Sequence, residues 1–95
     1  VDLVLGGHIH DPWVSLSNAR YLDVKRAFVI SVAGTCLSWR TRAGAPNSFH
    51  WIEIDPEASE PALSIARHDL CDGKFTEVQR HRFMRLGEAG WTRVM

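Results

Sequence analysis

Apolar residues in this chain come in short runs, each closed by glycine, proline or an Asp-Gly pair, and none extends as a helical stripe of several turns. A helix needs a 3.6-residue repeat sustained over three turns or more, whereas a strand needs only a few alternating or β-branched positions and a stop. The pattern therefore predicts a mainly antiparallel β-sheet of about five strands with little helix. The expected strands are Val1 to Leu5, Phe28 to Ala33, Ser48 to Asp55, Ala62 to His68 and Phe75 to Phe83, the last within a returning stretch from Lys74 to Arg85. Trp13 to Leu16 is a further short candidate, and Ser17 to Arg26 is ambiguous.

Side-chain parity refines this. Ile52 and Ile54 alternate with Glu53 and Asp55, so this strand should have one wet face. Leu63 and Ile65 share a face, and Phe75 and Phe83 have the same parity in an unbroken strand. Asp72-Gly73 lies between two extended stretches and predicts a two-residue type I′ hairpin, which needs positive φ at both central residues. Arg80, Arg82 and Arg85, with His81, put charge where an open sheet edge is expected. Trp39 and Trp51 are expected to pack in the core or on the sheet, and Gly87 to Met95 to form a tail.

Composition narrows the function classes. Eleven Lys and Arg balance eleven Asp and Glu, which excludes a bulk positive field for nucleic acid or an anionic membrane surface. No apolar run reaches the length of a membrane-spanning helix. Cys36 and Cys71 form no CxxC and are too few for a disulfide framework, which suits reduced thiols in a cytoplasmic protein; Cys36 is expected to be buried.

The segment that carries chemistry is Asp2-Leu-Val-Leu-Gly-Gly-His-Ile-His10. In extended backbone His8 and His10 project to one side, at the C-terminal end of a buried strand, where open sheets place their ligands. Imidazole suits borderline metals such as Zn, Mn and Fe, and Gly6 and Gly7 leave room beside them. His8 and His10 are the metal-ligand candidates; two exposed histidines beside a turn would carry the same spacing. Arg40 and Arg42 share parity and could reach a phosphate, or form a solvated edge. Asp11 could orient a histidine or cap a turn. His50, His68 and His81 have no site spacing, and Asn47 and Ser48 should fix the turn into the strand that follows.

Gly7-His8-Ile9-His10 after an apolar strand resembles the last signature of the calcineurin-like metallophosphoesterases. Val32-Ala-Gly-Thr35, Ser38-Trp-Arg-Thr-Arg42 and Pro46-Asn-Ser-Phe49 resemble, in order, further segments of the bacterial members, so the likeness runs from about Asp2 to Asp55. It implies one sheet of a four-layer α/β/β/α sandwich (an α+β fold) and a hydrolase with two divalent metal ions, such as Mn, Fe or Zn. His8 would serve one ion and His10 the other, and a phosphate ester would be the substrate. The family's Asp-x-His, Gly-Asp-x-x-Asp and Gly-Asn-His segments, and a further upstream histidine, are not in this sequence. The resemblance thus implies that residues 1–95 are the C-terminal part of one such domain, without its N-terminal half, and that the main catalytic groups lie upstream of Val1. The chain alone is expected to be inactive. The competing expectation is a small β-sheet interaction domain with no catalytic role.

Overall fold

A computed structural model describes residues 2–7, 11–19, 26–36, 46–56 and 59–94. The fold is mostly antiparallel β, with strands β1 (Leu3–Gly6), β2 (Trp13–Leu16), β3 (Val29–Val32), β4 (Ser48–Asp55), β5 (Ala62–Cys71), β6 (Lys74–Arg85) and β7 (Trp91–Val94). Single 3-10 turns occupy Ser17–Ala19 and Gly87–Ala89. No helix among the described residues is long and apolar enough to cross a membrane.

The strands divide into two sheets, in the orders β1-β3-β2 and β4-β5-β6-β7, which corrects the expectation that they share one. The single parallel pairing among these strands is β1 with β3, in register Leu3↔Val29 to Gly6↔Val32. β3 is central and buried at all four positions, as a β-branched strand covered on both faces should be. β2 returns antiparallel on its other side, pairing Trp13 with Val32.

Opposed residues on neighbouring strands share a face. In the first sheet this aligns Leu3, Val29 and Leu16, and then Leu5, Ser31 and Val14. In the second it aligns Ile54, Leu63, Phe83 and Arg93, then Ile52, Ile65 and His81, then His50, Arg67 and Gln79. The two faces meet in a core of Val29, Leu63, Ile65, Phe83 and Trp91, with Leu3, Val14, Leu16 and Ile52 packed against it. The expected shared face of Leu63 and Ile65 is this one.

The hairpin forms at Asp72-Gly73 with φ of 51° and 80°, and both strands run right up to the turn. β6 fills the whole expected returning stretch from Lys74 to Arg85, and β5 is longer than Ala62 to His68, because ladder bonds continue to the last pair, Cys71↔Lys74. The shared parity of Phe75 and Phe83 does not survive. A register shift at Arg67/His68 sets Gln79 opposite Arg67 and Glu77 opposite His68. The extra residue, Val78, reverses the facing of the strand beyond it. Phe83 is buried in the core, while Phe75 is 41% exposed on the other face, edge-on to Phe49, which stacks on His68.

Three further expectations are corrected. Gly87 to Met95 is not a tail: Trp91–Val94 pairs with Arg82–Arg85, so the arginine-bearing end of β6 is covered, and residues 74–81 are the part of β6 that β7 leaves uncovered. Trp91 is buried and donates its indole N–H to Asp2 Oδ1 at 2.9 Å, which holds the Asp2 carboxyl below its usual range. Trp51 is 58% exposed, because its parity places it on the solvent face of β4. Cys36 is exposed rather than buried, as is Cys71. Trp39 lies outside the described residues.

Candidate functional site

Parallel pairing sets the geometry of the site. β1 and β3 run in the same direction, so Gly6-Gly7 and Ala33-Gly34-Thr35 leave the sheet at the same end. β2 begins at that end, so Asp11-Pro12 arrives there too. Ala33 N–H donates to Gly6 O at 2.9 Å, extending the parallel ladder one step past the strands. A side chain on Gly34 would meet Pro12 Cδ at 3.2 Å and overlap Ser48 Oγ, so only glycine lets these three segments close on one another.

The histidine candidates His8 and His10, like Arg40 and Arg42, lie outside the described residues. Their flanking residues are in place: Gly7 follows β1, and exposed Asp11 and buried Pro12 lead into β2. Gly7 and Asp11-Pro12, the residues on either side of the His-x-His segment, are thus both at the C-terminal end of the parallel pair. The Ala-Gly-Thr segment is at that same end.

Asn47 and Ser48 do fix the turn into β4, by a specific route. Asn47 Nδ2 donates to Thr35 O at 3.1 Å, and Ser48 N–H donates to the same oxygen at 2.8 Å. Asn47 O in turn accepts from Leu70 N–H at 2.8 Å. These bonds tie the second sheet to the loop that follows β3.

Sequence reasoning missed His50 and Ser31. Ser31 is 2% exposed on the inward face of β3 and shares a 2.7 Å hydrogen bond with His50 Nδ1 on β4. His50 Nε2 and Ser48 Oγ are buried with no hydrogen-bond partner among the described residues. Burial, reinforced by the charge of nearby Arg67 and by His81 and opposed by Asp69, pushes the His50 pKa down. The available signal was parity: Ser48, His50 and Ile52 share a face, and Ile52 marks it as inward. No group of three or more His, Cys, Asp or Glu able to hold a metal ion occurs among the described residues.

No protein-family model, no curated protein and no solved structure matches the chain.

Proposed function

We propose that this chain supplies the Gly-His-x-His segment of a two-metal phosphoesterase centre, with His8 and His10 ligating different ions. The observation that carries the reading is the convergence of the His-x-His flanks and the Ala-Gly-Thr loop at the C-terminal end of the parallel β1/β3 pair. Active groups in open sheets gather at such an end because backbone N–H and C=O groups there are free to meet ligands. The order of the Gly-His-x-His, Ala-Gly-Thr and Asn-Ser-Phe segments adds the family resemblance.

The donor set fits part of such a centre. Two neutral imidazoles suit borderline divalent ions, one for each ion, but a binuclear site needs carboxylates as well. Those would come from residues beyond this sequence, as the resemblance implies, and the chain alone would lack the catalytic groups. A pair of divalent ions held there would supply an activated hydroxide and charge neutralisation at the phosphate. The chain's own part is positional: Gly6 and Gly7 end the strand, Pro12 packed on Gly34 returns the chain, and Asn47 and Ser48 hold the neighbouring loop at Thr35. Both cysteines are exposed and free, which suits the reducing conditions of the cytoplasm.

The test is metal content per chain and hydrolysis of a chromogenic phosphodiester, measured on the whole product of the gene that encodes this chain. His8→Ala and His10→Ala should each lose one ion, a different one in each case, with a larger fall in kcat than rise in KM. Retention of both ions and near-parental turnover by both variants would refute the reading in favour of an interaction domain.

A further inference from the structure

The interface between the sheets has two chemically different ends. One is the apolar cluster around Val29, Ile65 and Phe83. The other is polar, where Ser31 on the first sheet meets His50 on the second, in the same row as Arg67, whose carboxylate partner Asp69 is buried. We propose that the Ser31–His50 contact is an acid-sensitive latch that holds the second sheet against the end of β3.

The argument begins with hydrogen-bond capacity. In neutral His50 one ring nitrogen carries a proton and the other accepts. Either the Ser31 hydroxyl donates to Nδ1, or Nδ1–H donates to the Ser31 oxygen; the short contact at Nδ1 is satisfied both ways. Nε2 has no partner among the described residues and is buried. Protonation makes it a charged donor that needs an acceptor where no described residue provides one, and an unpaired buried charge is strongly disfavoured.

The charged surroundings give no relief. Arg67, opposite His50 on β5, is engaged in a two-point pair with Asp69, through Nε at 2.7 Å and Nη2 at 3.0 Å. Asp69 is thus the one facing carboxylate among the described residues, and Arg67 already occupies both of its oxygens. His81 on β6 lies one row away, and Arg93 on β7 donates to its Nδ1 at 2.7 Å, so that neighbour also disfavours added positive charge. From the first sheet the row facing His50 is Leu5, Ser31 and Val14, which carries no charge.

The sign follows. His50 is harder to protonate in the folded chain than in the unfolded one. The unfolded state therefore takes up the proton first as pH falls below the ordinary value of 6.5, and stability drops until the folded pKa is passed. The cost falls on buried Nε2, and bringing that atom to water draws β4 away from Ser31, two residues before Ala33-Gly34-Thr35, so the loop end of β3 should loosen before the apolar end of the interface.

Two measurements on the 95-residue chain test this. In wild type, an NMR titration should show His50 protonating below 6.5, with the Ser31 and Val32 amides shifting along the same curve. Protection of those amides against hydrogen exchange, corrected for intrinsic rate, should fall about threefold or more between about pH 7.5 and pH 5. His50→Gln, which cannot be protonated, should keep its protection within about twofold, and His81→Gln should respond like wild type. The latch is refuted if His50 titrates at or above 6.5, if the Ser31 amide ignores its titration, or if His50→Gln loses protection as wild type does. Transfer of the acid response to His81 would refute it as well. Should His50→Gln not fold, the wild-type titration decides alone.

Discussion

Gly90 offers the sharpest test of how the C-terminal strand is held. Its backbone sits at φ 85°, ψ −146°, a region open to glycine and essentially closed to L side chains. The space is closed too. A Cβ at Gly90 would overlap Ala27 O and lie 2.7 Å from Ala27 N and 2.8 Å from Arg26 Cγ. Two of these obstacles are backbone atoms, so no rotamer change relieves them. Gly90→Ala must push β7 away from the start of β3, breaking the 3.0 Å bond from Trp91 N–H to Ala27 O and the 3.1 Å bond from Ala27 N–H to Ala89 O. It also loosens Trp91, which is buried in the core. The dihedral cost is about 1–3 kcal/mol and each lost bond about 1 kcal/mol, so a loss of about 3–5 kcal/mol is expected. Gly73→Ala is the internal control. Its φ is 80°, but nothing lies within 4 Å of a Cβ there, so only the conformational cost remains, about 1–2 kcal/mol. Urea denaturation followed by tryptophan fluorescence measures both, with an unchanged m-value as the check that the unfolding transition is the same. Equal losses in the two variants would show that the close approach of Gly90 to Ala27 contributes nothing.

Two further substitutions probe the inter-sheet region by the same assay. Asp69→Ala leaves Arg67 without its partner in a site where the Asp69 side chain is only 11% exposed, and should cost about 3–5 kcal/mol, whereas Glu77→Ala on the exposed Arg80 pair should change little. Gly34→Ala drives a methyl into Ser48 Oγ and Pro12, and should cost about 1–3 kcal/mol, with faster exchange at Ser48 N–H as the local readout; unchanged protection there would mean the loop yields without strain.

What the sequence determined by itself was local. The absence of a helical period, the Asp72-Gly73 turn, the span of β4 and the shared face of Leu63 and Ile65 all follow from chemistry within a few residues, and the structure has each of them. The Gly-His-x-His spacing is local in the same way, while the metal-ligand role given to His8 and His10 is a proposal. What only the tertiary structure decided depends on partners distant in the chain. Division into two sheets follows from β1 pairing in parallel with β3, and no short-range pattern reports that. Val78 reads as an ordinary strand residue until β5 is laid beside it, and then the register shift turns Phe75 away from the core. Trp91–Val94 has too few residues to show a period, and is a strand because Arg82–Arg85 and Ala27 supply its hydrogen bonds. His50 became notable through Ser31, nineteen residues away, because a histidine's chemistry is set by which of its nitrogens finds a partner when water is removed.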